Sequence, residues 1–266
     1  MTSTDVRAVD VHAHYGLYQR ENASALLESF STGDADEVVR RAEQANVRIT
    51  VVSPLSGLLP RGDCDVVKGN MEARETVRNR PSLRQWVILH PTVAETYEQA
   101  VDILKDRCCV GIKLHPEEHC YPIAEYGDRL FEFASEHKAV VLIHSGDNNS
   151  RPSQCVEFAN RYPDIQLILA HLGNGGAAAG DPALQVQAVQ SSRHGNVFVD
   201  TSSARSILPG LVEWAVGEVG AEKILFGTDA PLYHTAMQRA RVDSADIDEK
   251  DKVRILCGNA ESILQL

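Results

Sequence analysis

Two histidines, His12 and His14, stand two residues apart in the stretch "AVDVHAHYG". Asp10 precedes the first of them by two. Polar residues close other apolar runs in the same way: Lys113 and His115 in "GIKLHP", His144 in "LIHSG", His171 in "LILAHLG" and Asp229 in "ILFGTDAP". His90 and Asp200 close two more. Side chains two apart on a strand share a face, so His12 and His14 can grip one ion. Imidazole nitrogen and carboxylate oxygen suit zinc and related divalent metals. A strand-end histidine standing alone is ordinarily a hydrogen-bonded rim residue. Several of them together are costly to bury without a metal or a tight polar network.

Such residues need a scaffold that gathers strand ends. Eight short β-branched runs recur: "VRAVDVHAH", "RITVVSP", "RQWVILHP", "CVGIKLHP", "AVVLIHSG", "IQLILAHLG", "NVFVDTSS" and "KILFGTDAP". Segments with helical spacing lie between them, such as "DADEVVRRAEQANV" and "EYGDRLFEFASEHK". Near-continuous apolar strands alternating with amphipathic helices predict a parallel sheet covered by helices. Eight units in 266 residues predict an α/β fold, a closed (β/α)8 TIM barrel, as one domain over residues 1–266. An open doubly wound sheet is the alternative. In a barrel the C-terminal rim, where these polar residues fall, is where active sites form. The closing segment "SADIDEKDKVRILCGNAESILQL" reads as two helices broken at Cys257-Gly258-Asn259, with Gly258 ending one and Asn259 capping the next.

The motifs resemble those of the amidohydrolase superfamily of metal-dependent TIM-barrel enzymes. "DVHAH", "GIKLHP", "LIHSG", "LILAHLG", "ILFGTDAP" and "GNAESIL" are most similar to its amidohydrolase-2 branch, from about Val9 to Leu264. That branch holds hydrolases alongside metal-dependent decarboxylases and hydratases. The resemblance implies His12, His14, His144 and Asp229 as metal ligands. It implies His171 beside the metal water as a general acid/base or further ligand, with Asp229 also able to take a proton. The implied cofactor is a divalent ion, Zn2+ foremost. A single ion per chain is the favoured count; two would follow if Lys113 were carboxylated and bridged them. Such an ion lowers the pKa of bound water and polarises a carbonyl, and a neighbouring aspartate or histidine accepts and returns the proton.

Lys113 has three readings: a carboxylated bridge between two metals, a cation for a substrate carboxylate, or a structural ion pair. Substrate binding is the one adopted. His115 either binds substrate or caps its strand, and His90, in the same "HP" setting, reads as structural. Asp10 falls one layer deeper on the His12 face, as a carboxylate that orients a ligand histidine or as a hydrogen-bonded interior residue. Arg205, after strand seven, offers a fork for an anionic group or a helix-terminus salt bridge. Tyr15 and Arg61 are loop candidates. Of the remaining histidines only His234, after "TDAPLY", falls near the barrel mouth.

A rival signal is Gly173-x-Gly175-x-x-Ala178 after a strand, with a later strand ending in Asp200, which mimics a dinucleotide fingerprint. The fingerprint requires a helix opening within the glycines. Here Asp181-Pro182 reads as the helix start. No G-x-S-x-G elbow and no P-loop occurs. A net charge of -11 argues against nucleic acid. No apolar run has membrane length, and "MTSTDVRAVD" lacks a signal peptide's regions. Six cysteines show no C-x-x-C pair, which fits reduced thiols in a cytoplasmic protein. The expectation is a cytoplasmic metalloenzyme, with homo-oligomerisation open, that activates water to hydrolyse an amide, ester or lactone-like bond in a small molecule. The alternative is a metal-dependent decarboxylase or hydratase acting on a small unsaturated carboxylic acid.

Overall fold

The computed structural model describes residues 2–202 and 207–266. Eight strands lie where the apolar runs predict them: β1 Ala8–Tyr15, β2 Val47–Pro54, β3 Leu83–Ile88, β4 Cys109–Leu114, β5 Val140–Ile143, β6 Gln166–Leu169, β7 Val197–Asp200 and β8 Ile224–Leu225. Each pairs in parallel with the next, in chain order. The chain after β8 closes the ring on β1, through Val11 N–H to Phe226 O at 2.9 Å and a parallel bridge of Ala13 with Ala230. The fold is a single-domain (β/α)8 barrel, and the open doubly wound sheet is excluded.

Alternation along the strands divides the core into two layers. Trp86, Leu142, Ile168, Phe198 and Leu225 pack together with Val9, Val11, Ile49 and Val51. Their neighbours Val87, Val141, Ile143, Leu167, Val197 and Val199 pack instead with helix residues such as Leu130, Phe131 and Phe158. The Trp86 ring is fully buried and donates from Nε1 to Val11 O at 2.8 Å. That bond satisfies the indole N–H in an apolar interior. Gly111 has φ +155, and a Cβ there would stand 2.2 Å from Val140 O, so a side chain would force β4 and β5 apart two residues before Lys113.

Helices begin where the sequence supplies caps. Asp34 accepts from Glu37 N at 2.8 Å before Ala35–Gln44, and Asp65 from Lys68 N at 2.9 Å before Val66–Arg78. Two expected boundaries are corrected. The helix after β6 is Leu184–Gln190, and Asp181 caps the preceding turn through Ala183 N at 2.9 Å. The C-terminal segment does not break at Gly258. It runs Glu249–Val253, then a π-helical turn Arg254–Gly258, then Asn259–Leu264. Gly258 keeps helical angles, and Asn259 Nδ2 donates to Ala221 O and Ile224 O, at 2.7 Å each, instead of capping. The extra residue of the π turn re-aims the side chains, which is how helix and β8 are tied without a stop. Among the described residues no helix is long and apolar enough to cross a membrane.

Candidate active site

β1 carries His12 and His14 to the rim, both buried. His12 Nδ1 lies 2.9 Å from Asp200 Oδ2 at the end of β7. A carboxylate only accepts, so the proton sits on Nδ1 and the Nε2 lone pair points the other way. His14 Nδ1 lies 3.0 Å from the carbonyl of Ser53 on β2, which makes Nδ1 the donor there too. Its Nε2 lone pair then faces Asp229 Oδ1 at 3.1 Å, while His12 Nε2 stands 3.7 Å from the same oxygen. Lone pairs converging on a carboxylate call for a cation between them. His12, His14 and Asp229 offer ligand atoms within 4.8 Å of one another, and so do His12, His171 and Asp200. This donor set fits a divalent ion.

Two of these residues have strained backbones. His171 has φ 71° and Asp229 φ 57°, a left-handed region that costs non-glycine residues about 1–3 kcal/mol. The surroundings hold both in place. His171 N–H donates to Asp200 Oδ1 at 3.0 Å, and Asp229 N–H to His12 O at 2.7 Å. The strain turns both side chains out of strand alternation and toward the β1 histidines.

Lys113 is fully buried, with Nζ 2.7 Å from His12 Nε2, on the side of the lone pair that an ion would take, so this contact and metal ligation by Nε2 exclude each other. Burial pulls this amine from 10.5 down to about 8, against the attraction of Asp229 and Asp200. Burial also takes the His12 imidazole down to about 4, helped by Lys113. For Asp229 burial works upward, but the adjoining His14, His12 and His171 imidazoles prevail and hold the carboxyl far below its usual range. Asp200 is held low in the same way, chiefly by His12 against its burial.

His144 stands outside the tight groups. Its Nδ1 meets His171 Nε2 at 3.0 Å and its Nε2 meets Asp147 Oδ2 at 2.8 Å. His115 stacks on its ring, centroids 4.3 Å apart at 11°. Asp10 bears on His12 through the main chain: its carboxyl accepts from His12 N at 3.1 Å and from Thr228 N and Oγ1 at 3.0 and 2.5 Å. Burial lifts this carboxyl to about 8 despite those bonds. The carboxylate that meets the His12 ring is Asp200, a strand end noted in the sequence without a role in the site. Ser202 joins it, its hydroxyl donating to Asp200 Oδ1 and lying 2.9 Å from both His12 Nδ1 and His171 Nδ1.

A cavity of about 300 Å³ is lined by His14, His115, His144, His171 and Asp229, with Leu55, Leu58, Leu59 and Leu232 as apolar wall. Lys113 does not line it. Arg20 and Arg61 do, and both are paired: Arg20 with Glu118, and Arg61 with Glu117 at 3.0 Å. Tyr15 packs with Ala35, Val38 and Val52 instead. Arg205 lies outside the described residues.

His119, after β4, is buried beside the site. Its Nε2 donates to Gly57 O at 2.9 Å, and burial, resisted by that bond, takes the imidazole from 6.5 down to about 4. The unfolded chain takes up this proton below about pH 6.5, the folded protein only near 4. Stability is therefore whole above 6.5 and falls as pH drops toward 4, by on the order of 3 kcal/mol from this group. His119→Gln flattens that slope. Urea melts of both proteins at pH 7 and pH 5 check this, and parallel losses in the two would count against it.

The amidohydrolase family model matches residues 9–266, and the chain belongs to that family. No curated relative matches. Several solved structures share the fold end to end. A 2,6-dihydroxybenzoate decarboxylase from Rhizobium superposes with TM-score 0.74 at 15% identity, covering 97% of this chain and 98% of that one. A 5-carboxyvanillate decarboxylase, LigW from Sphingomonas paucimobilis, gives 0.73 at 14%, covering 98% and 99%. A dihydroxybenzoic acid decarboxylase from Polaromonas sp., with bound manganese and the inhibitor 2-nitroresorcinol, gives 0.72 at 15%, covering 97% of each. These stand against the expected hydrolase: these three structures are decarboxylases, and they back the lyase alternative over it. The physical reason for the miss is that both reactions use the same strand-end donors.

Proposed function

We propose that the protein is a metal-dependent decarboxylase acting on a small unsaturated carboxylic acid. The observation that carries this is the meeting of His12 Nε2, His14 Nε2 and Asp229 Oδ1 beside a leucine-walled cavity, in a barrel built like the decarboxylases above. Zinc and manganese both suit the donors, and the Polaromonas enzyme holds manganese.

His12, His14 and Asp229, with His144 and His171 as further donors, would hold a divalent ion, and that ion would supply Lewis-acid withdrawal of electron density from the substrate. The protein's own groups do the rest. The leucines keep water from the reacting carbon and seat a flat apolar ring. Loss of CO2 leaves an electron pair on the carbon that carried it, and a proton must arrive there. Asp229 is the group assigned to that transfer. Asp229 is ionised, so it first takes a proton from water or from the substrate and then passes that proton to the carbon, returning to the carboxylate. Lys113, fully buried against His12, adds positive charge next to the ligands without touching the substrate. That replaces the substrate-binding role expected for it.

The test is a panel of small hydroxybenzoates and other unsaturated carboxylic acids, with CO2 release measured alongside loss of substrate. At least one acid turns over, chelation stops the reaction, and added Mn2+ or Zn2+ restores it. Hydrolysis of amides or lactones without CO2 would overturn the decarboxylase reading. CO2 release indifferent to chelation would overturn the metal.

A further inference from the structure

The turn Gly173-Asn174-Gly175-Gly176 mimics a dinucleotide fingerprint, yet no helix opens on it: Leu184–Gln190 begins well beyond. Its contacts lead to Asp147, in the loop after β5. Asn174 Nδ2 donates to Asp147 Oδ2 at 3.1 Å and to Ser145 O at 2.9 Å. Gln185 Nε2 in turn donates to Asn174 O at 3.0 Å. Gly176 passes so close that a Cβ on it would stand 2.0 Å from Asp147 Oδ1. Gly146, at φ +102, does the same from the other loop, where a Cβ would stand 2.1 Å from Asn174 O. Ala177 N–H also donates to Gly146 O at 2.7 Å. The glycines let two rim loops lie backbone to backbone around one carboxylate.

We propose that Asp147 is a positioning residue: clamped by Asn174 and by the close pass of Gly176, its carboxylate fixes His144 as the Nε2–H tautomer and turns the Nδ1 lone pair toward His171 Nε2. The chemistry follows from the distances. Asp147 Oδ2 can only accept, so the His144 proton belongs on Nε2, 2.8 Å away. Nδ1 is then a bare lone pair, 3.0 Å from His171 Nε2. The stack of His115 on the ring, at 4.3 Å, sets its plane. A carboxylate behind a ligand imidazole locks its tautomer and raises its basicity, and losing such a partner costs about 10–100-fold in metal affinity. The glycine-rich turn thus holds a carboxylate of its own chain where the fingerprint would hold a phosphate. The inference rests on His144 and His171 as working imidazoles, and its test separates the two ideas.

Long-range nitrogen-15 spectra of the metal-free protein, with His144 assigned from His144→Gln, show the Nε2–H tautomer in the wild type and a mixture in Asp147→Asn. Titration with Mn2+ alone gives a dissociation constant about 10–100-fold weaker for Asp147→Asn. Gly176→Ala, which drives a methyl at an intact Asp147, weakens Mn2+ in the same direction, and the double variant is no worse than Asp147→Asn. An Nδ1–H tautomer in the wild type, or wild-type Mn2+ affinity in Asp147→Asn, overturns the proposal. Unchanged affinity in Gly176→Ala overturns the clamp. If the wild type binds no metal, the metal reading falls, and the tautomer spectra alone still decide the role of Asp147.

Discussion

Asp229→Asn lowers kcat by about 10²–10⁴-fold at saturating metal, the span of a lost general acid–base group. Asparagine keeps the shape and tolerates the left-handed backbone that Asp229 adopts at φ 57°. Alanine there would mix catalytic loss with backbone strain, so the amide is the cleaner probe. What the amide removes is the charge facing His14 Nε2 at 3.1 Å and His12 Nε2 at 3.7 Å, together with the proton that the carboxyl passes to carbon. Two effects are therefore expected, and metal separates them. Weaker ion binding raises the metal concentration needed for half activity, whereas the lost proton transfer persists when metal saturates. Steady-state decarboxylation over a Mn2+ series reads both. A variant that regains wild-type kcat at high metal would reduce Asp229 to a ligand and remove it from the proton step.

Much of this site can be read from strand ends. Each of the apolar runs became a strand at the expected place, because a parallel barrel strand is buried on both faces and shows itself as a continuous β-branched stretch. His12, His14, Lys113, His144, His171 and Asp229 follow from where those runs stop. What a single strand cannot show is the neighbour that each ring acquires across the barrel. Asp200 was in view at the end of "NVFVD", but its bond to His12 joins residues 188 apart in sequence. Asp147 sits in "SGDNNS", a loop without periodicity, and only the fold brings it to His144. Lys113 could be assigned to a strand end but not to a depth: its full burial against His12 keeps it from lining the cavity. Gly258 misled for a local reason. Glycine allows a helix stop without enforcing one, and the hydrogen bonds of Asn259 to Ala221 and Ile224 decide for continuation. The reaction class was the least legible feature, since the ligand residues serve hydrolysis and decarboxylation alike.

Asp200→Ala destabilises the protein by about 3–5 kcal/mol, the loss expected when one partner of a buried, hydrogen-bonded charge is removed. The carboxylate is fully buried and serves several donors: His12 Nδ1 at 2.9 Å on Oδ2, then His171 N at 3.0 Å and Ser202 N at 2.9 Å on Oδ1. Alanine leaves the His171 and Ser202 main-chain N–H groups without this acceptor, and His12 Nδ1 with the Ser202 hydroxyl alone, in a buried place. It also releases His171 from the bond that holds its left-handed backbone. Asp200→Asn separates stability from ring orientation. Its remaining oxygen can still accept the two main-chain N–H groups, but its amide NH2 faces a ring nitrogen that is itself a donor. His12 must then shift its proton to Nε2, the atom that points at Asp229, and the lone pair meant for the metal is lost. The asparagine variant accordingly folds with a smaller penalty than alanine, yet loses about 10–100-fold in metal affinity. Urea melts of the metal-free proteins and Mn2+ titrations give the two quantities independently. An alanine variant that melts with the wild type would show that other groups satisfy these donors. An asparagine variant with unchanged Mn2+ affinity would show that the Asp200–His12 bond does not set the His12 tautomer.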